Sequence, residues 1–147
     1  GPRVLEGLAQ RYDRLILDCP PGLGELAEQV LRSADIVLVP IIPSPLSQRA
    51  FDDVVGFVRT HMKKKHKVSL LPLHSMVDRR RRLHATALNE NPDWPVIPMA
   101  SPIEQMGVHR APVRAFAPRS MVAATCDQLW TGVERRLAEI AAGTAQK

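Results

Sequence analysis

The sequence predicts a three-layer α/β domain built on a mainly parallel, incomplete sheet, and three observations carry that prediction. Short continuous apolar runs occur at Arg14–Asp18, Ile36–Ile42, Val68–Leu73 and Val96–Met99, each bounded by Pro, Asp or Gly. Between them lie segments whose apolar residues recur every three or four positions, as on one face of a helix. The strand runs are apolar throughout rather than alternating, which is the pattern of strands covered on both faces by crossover helices.

Taken in order, a short helical stretch at Val4–Gln10 precedes the first strand, Arg14–Asp18. Leu23, Leu26, Val30 and Leu31 then mark a helix leading to the second strand, Ile36–Ile42. The next helix carries Phe51, Val54, Val55, Val58 and Met62 on one face. Ser47, just after Pro45, serves as its start, and Lys63-Lys64-Lys65 falls at its end, where cations offset the negative pole of the helix dipole. A third strand at Val68–Leu73, a helix at Arg80–Asn89 and a fourth strand at Val96–Met99 follow. The last helix runs from about Ser120 to Ala142, with Val122, Cys126, Leu129, Val133, Leu137 and Ile140 as its apolar stripe.

With 147 residues, 45% of them hydrophobic and 24% charged, the chain is long enough for one ordinary core, so residues 1–147 are expected to form part of one compact domain. The formal charge of +5 makes polyanions plausible partners. Cys19 and Cys126 lack the spacing of a disulfide framework or zinc site, and a reducing cytoplasm fits them best. The longest apolar run, Ile36–Ile42, is interrupted by Pro40 and falls far short of the roughly 20 residues that cross a bilayer. A soluble, cytoplasmic protein is expected.

The segment richest in chemistry is Tyr12-Asp13-Arg14-Leu15-Ile16-Leu17-Asp18-Cys19-Pro20-Pro21-Gly22. A strand ends in a carboxylate and passes at once into a rigid turn, and ligands of open α/β sheets sit at such carboxyl ends. An Asp in that place also serves as a cap for the helix beginning near Leu23.

Apolar strand, Asp, any residue, Pro, Pro, Gly resembles the switch-II pattern of the ParA/MinD family of deviant P-loop ATPases. The resemblance implies that Asp18 orients magnesium through a bound water, and that Gly22, framed by Pro20 and Pro21, presents its N–H toward the γ-phosphate. Ser33-Ala34-Asp35-Ile36-Val37-Leu38-Val39-Pro40-Ile41-Ile42-Pro43-Ser44-Pro45-Leu46-Ser47 resembles the family's following strand and proline-bearing loop. Leu70-Leu71-Pro72-Leu73-His74-Ser75-Met76-Val77-Asp78-Arg79-Arg80 resembles the strand and loop near the nucleotide base, which implicates Met76 and Asp78. Where many relatives carry a base-reading asparagine, the nearest candidates here are His74 and Ser75. Val96-Ile97-Pro98-Met99-Ala100-Ser101-Pro102-Ile103-Glu104 and then Gly107-Val108-His109-Arg110-Ala111-Pro112-Val113 look like the last strand and the loop covering the base, with Pro98 and Pro102 beside the nucleotide.

The resemblance covers about residues 8 to 140. It implies a P-loop NTPase-type sheet, ATP and Mg2+ as cofactors, and hydrolysis of ATP in a nucleotide-dependent dimer of the protein with itself. Partitioning of a chromosome, plasmid or other cargo is the implied role, with nonspecific DNA and a stimulating protein as further partners. The family's Lys-Gly-Gly-x-Gly-Lys-Thr loop has no counterpart in these residues. It lies upstream of switch II in relatives, so the chain is expected to be the carboxyl-terminal portion of a single ATPase domain, weak in ATP binding and inactive by itself. The alternative from another class is a non-catalytic module that holds DNA or protein.

Arg79-Arg80-Arg81-Arg82, with Arg110, Arg114 and Arg119, offers a surface for nonspecific DNA contact; a solvated helix start explains the same run. The five histidines show no metal-ligand spacing. Packing on the sheet explains the stripe of the last helix more simply than membrane targeting does. The Pro-Pro-Gly turn replaces the cysteine segment of iron–sulfur relatives, and no substrate cluster of an amide ligase is present.

Overall fold

The computed structural model describes residues 2–62 and 68–143; the lysine run at positions 63–65 lies outside the described residues. In chain order the elements are α1 (Pro2–Ala9), α2 (Glu25–Ser33), β1 (Ile36–Ile41), α3 (Pro45–His61), β2 (Ser69–Val77), α4 (Arg82–Glu90), β3 (Val96–Pro98), α5 (Ser101–His109), α6 (Val113–Phe116) and α7 (Met121–Ala141).

Three parallel strands form one open sheet in the order β1-β2-β3, flanked by helices, as the strand–helix alternation predicts. Val37 is opposite Leu70 and Leu38 is opposite Leu71, so the pleat sends the first pair to one face and the second to the other. On the first face Val37 and Leu70 pack with Leu31 of α2, Val58 of α3, and Met62 and Val68. Full burial of each such side chain contributes about 1.5–3 kcal/mol. Across the other face, Leu38, Leu71 and Trp94 confront Leu129 and Val133 of α7 around a cleft of about 340 Å³. Arg136 Nε donates to Ser69 Oγ at 2.9 Å, which ties the second half of α7 to the amino end of β2. A second cluster, Val113, Val122 and Ala123 with Ile103 and Phe116, joins α5, α6 and α7.

The structure corrects several expectations. Arg14–Asp18 forms no strand, so the described residues contain three strands and not four. A strand exists through its ladder, and among the described residues β1 pairs only with β2. Leu15, Ile16 and Leu17 are consequently exposed, Ile16 to 80%. Ser44, rather than Ser47, caps α3: its hydroxyl accepts the Ser47 N–H at 3.2 Å, and Pro45 takes the first turn. β2 runs on to Val77 because β3 pairs with its later half, with an irregularity between His74 and Val77. The Ser101–His109 segment is helix and not a loop over a base, with Pro102 in its first turn. Cys126, assigned to the buried stripe of the last helix, is exposed; Val122, Ala123 and Val133 are the buried positions of α7.

Candidate functional site

The segment leading to Asp18 is pinned at its start. Arg14 makes a two-pronged ion pair with Glu134 of α7, Nε to Oε1 at 2.9 Å and Nη2 to Oε2 at 2.8 Å. The hydrogen bonds from Arg14 hold the Glu134 carboxyl below its usual range. Both side chains are substantially exposed, so solvent screens the pair and it serves to place the segment more than to stabilise the fold. The chain then runs through Leu17, whose carbonyl accepts from Cys19 Sγ at 3.7 Å, into the Pro20-Pro21-Gly22 turn and α2. This segment, the turn, α2 and β1 follow one another in the chain order of a β-α-β course, without a ladder for the first of them among the described residues.

Asp18 is exposed and takes no hydrogen bond or ion pair among the described residues. Its carboxylate oxygens are open to water or a hydrated cation. Gly22 has φ +102°, where a side chain is strained, yet a Cβ there would meet nothing within 4 Å. Glycine is required at that position by its backbone and not by space. Asp18 does not cap α2: the cap residue is Gly24, with no side-chain cap hydrogen bond.

Met76, Asp78, Pro98 and Pro102 are brought together at the carboxyl ends of β2 and β3. Val77 is opposite Pro98, and the Met99 N–H donates to the Val77 carbonyl at 2.9 Å, so the start of α5 abuts the turn after β2. Met76 adopts φ +53°, uncommon for a residue with a side chain, and is half-exposed.

Asp78 is the node of this edge. Its Oδ1 accepts the Arg80 N–H at 3.1 Å and Arg80 Nε at 2.9 Å, and its Oδ2 accepts Nη2 at 3.0 Å. These bonds from Arg80 hold the Asp78 carboxyl down at about 2. The Asp78 N–H in turn donates to Nδ1 of His84 at 2.9 Å, and His84 is 2% exposed. Sequence reasoning passed over His84 as a functional candidate. The signal was its place four residues before Leu88, on the inward side of a short helix.

His74, considered as a substitute for a base-reading asparagine, is not at this edge. Its ring is buried at 1% exposure against Trp94, centroids 5.1 Å apart, with Nε2 3.0 Å from the Asn91 carbonyl oxygen. The ring is packed between β2 and the α4–β3 connection, with Nδ1 buried and unpaired among the described residues; Ser75 beside it is half-buried.

Arg79, Arg80, Arg81 and Arg82 are all exposed, but only Arg82 lies inside α4, with Arg81 as its cap, so the run is a turn more than a helix start. Arg80 is engaged by Asp78 and Arg114 by Asp127. Arg110 closes α5 in a left-handed conformation. That helix of 9 residues begins beside the Asp78 turn, which places Arg110 about 13 Å along its axis from that edge. Among the described residues no three His, Cys, Asp or Glu side chains group to hold a metal, and no helix is long and apolar enough to cross a membrane.

A family model described as an AAA domain matches residues 2–70, which include the whole Asp18–Gly22 turn. The sporulation initiation inhibitor protein Soj of Bacillus subtilis is 28% identical over 127 residues, 80% of this chain and 50% of Soj. A ParA family protein of Mycoplasma pneumoniae is 26% identical over 81 residues, 55% of this chain and 30% of that protein. The chromosome partitioning protein ParA of Myxococcus xanthus is 51% identical over 38 residues, 26% of this chain and 13% of that protein. The chain therefore spans half the length, or less, of these curated relatives. These matches, with an open parallel sheet, an Asp18 unpartnered among the described residues and a Gly22 at positive φ in the Pro-Pro-Gly turn, support a ParA/MinD-type P-loop ATPase family for this chain.

Proposed function

We propose that residues 1–147 are the carboxyl-terminal portion of one ParA-like domain and supply the switch-II turn and base-side loops of an ATP-hydrolysing partitioning protein. The observation that carries this reading is the Asp18–Gly22 turn, in which a free, exposed carboxylate precedes a glycine at φ +102°. Soj and the Myxococcus protein, whose names tie them to sporulation control and chromosome partitioning, support the cellular role.

The residues present suit ATP and Mg2+. Among the described residues Asp18 has no partner to displace, so it is free to hold a metal-bound water, as a hard cation prefers. Magnesium, when bound, neutralises charge on the transferring phosphoryl group. Gly22 turns its backbone in a way open to glycine alone, which leaves its N–H available to an anion. Pro20 and Pro21 fix the approach to that glycine. Met76 and Pro98 offer apolar surface to a base, Pro102 sets the first turn of α5 beside them, and Asp78 holds the neighbouring turn. The phosphate loop that completes such a site is not among these residues. Loss of the γ-phosphate would then relax the turn and change affinity for a second copy, DNA or a stimulating protein.

The test is magnesium-dependent ATP turnover by the full-length protein and its Asp18→Ala variant. A carboxylate acting through a metal-bound water predicts a loss of about 10- to 100-fold. Unchanged turnover in the variant would sink the role given to Asp18.

A second reading has one specific observation behind it: Arg79, Arg81 and Arg82 are exposed and paired with no carboxylate among the described residues. As a non-catalytic module the chain would bind DNA without nucleotide, with affinity falling steeply as salt rises. Failure to bind DNA without nucleotide, or binding that does not weaken as salt rises, would remove that reading.

A further inference from the structure

Among the described residues, His84 is the one buried histidine whose ring faces a backbone donor. At 2% exposure its Nδ1 accepts the Asp78 N–H at 2.9 Å, so Nδ1 must carry a lone pair, and a proton on the ring belongs on Nε2. The residue it holds is the residue that holds Arg80: Asp78 binds the Arg80 guanidinium through both carboxylate oxygens and caps the Arg80 N–H as well. Hence one side chain from α4 fixes the backbone of the turn, and the turn fixes a guanidinium that is itself 90% exposed. The turn begins two residues after Met76 at φ +53°, a conformation that needs support from its surroundings.

We propose that His84 is the positioning residue of the Asp78–Arg81 turn, setting where Arg80 is presented at the carboxyl edge of the sheet. It acts as a neutral hydrogen-bond acceptor rather than as a piece of apolar filling. Its influence on nucleotide rests on the base-side reading proposed above; its hold on the turn does not.

The two roles predict opposite orders for two variants. In His84→Asn the amide oxygen falls near the position of Nδ1 and still accepts the Asp78 N–H, at the cost of apolar volume. His84→Leu keeps the volume and loses the acceptor. A packing role favours Leu over Asn; the acceptor role favours Asn.

The experiment is amide hydrogen exchange at Asp78 and Arg80 in the full-length protein and both variants, with nitrogen chemical shifts of the His84 ring in the parent. Exchange at Asp78 should be about tenfold faster in His84→Leu and largely restored in His84→Asn, since a lost net hydrogen bond is of that size. In the parent the His84 ring should report an unprotonated, hydrogen-bonded Nδ1, a readout that needs no variant to fold. An Nδ1 that carries the proton, or His84→Asn exchanging as fast as His84→Leu, overturns the assignment. Nucleotide affinity measured on the same samples separates the two layers. If Asp78 loosens in His84→Leu and is restored in His84→Asn while ATP affinity holds, the positioning role stands and the base-side reading of this turn falls.

Discussion

Replacing Gly22 with Ala isolates backbone conformation from everything else in the switch-II turn. A Cβ at Gly22 would meet no atom within 4 Å, so no clash enters the cost. What remains is φ +102°, which an L-residue adopts at a cost of about 1–2 kcal/mol. Gly56 is the matched control: it lies in the exposed interior of α3, and a Cβ there also meets nothing within 4 Å. Gly56→Ala should stabilise by about 1 kcal/mol, because alanine loses less backbone entropy on entering a helix. The same methyl added at two empty positions thus moves stability in opposite directions, by roughly 2–3 kcal/mol between them. Urea unfolding reads both, and with slopes of about 1–3 kcal/mol/M the two midpoints should separate by about 0.7–3 M. A Gly22→Ala protein as stable as the parent would mean that the turn is not held at positive φ, and the argument that only glycine serves there would fail.

Two further outcomes are expected. The Asp78 carboxyl should titrate at about 2 by carbon NMR, and Arg80→Ala should return it toward the ordinary carboxylate range near 3.9. The sign follows: a depressed native value means that whatever this clamp contributes is present above the unfolded value and lost as pH falls toward 2. Ile16→Lys should change the stability of the 147-residue chain by no more than about 0.5 kcal/mol, because Ile16 is 80% exposed. If an added strand of a longer chain pairs residues 14–18, the same change should cost several times as much there; equal effects in both would remove that pairing.

The architecture was legible because burial on both faces leaves a plain trace: Ile36–Ile41 and the start of β2 are apolar without alternation, and the helices between them keep a three-and-four spacing. Boundaries that depend on a single hydrogen bond were less legible. Ser44 and Ser47 are equally good caps by residue type, and only the fold shows that the Ser44 hydroxyl accepts the Ser47 N–H. The second half of β2 was missed because His74-Ser75-Met76 carries no strand pattern; it is extended because β3 lies beside it. At the site, chain proximity made the Asp18–Gly22 turn visible, whereas the link from Asp78 to His84 spans six positions and needs the start of α4 folded back on the turn.

Arg14–Asp18 is the informative disagreement. Its composition is that of a strand covered on both faces, yet Leu15, Ile16 and Leu17 lie exposed beside a sheet whose β1 edge is also unpaired among the described residues. Side chains of this kind are normally buried, and unpaired strand edges are normally covered, because each exposed feature favours association. Two such features sit on one side of the same sheet: Arg14 is close enough to feel Asp35, which directly precedes β1. One additional strand between the segment and β1 would satisfy both at once, turning the Leu15–Leu17 run inward and giving Asp18 the strand-end position that its motif requires. The same insertion would bring a further chain segment up to the Pro20-Pro21-Gly22 turn. On the proposed reading of these residues as part of a longer ParA-like domain, the ladder absent among the described residues and the phosphate loop absent from this sequence would be one gap.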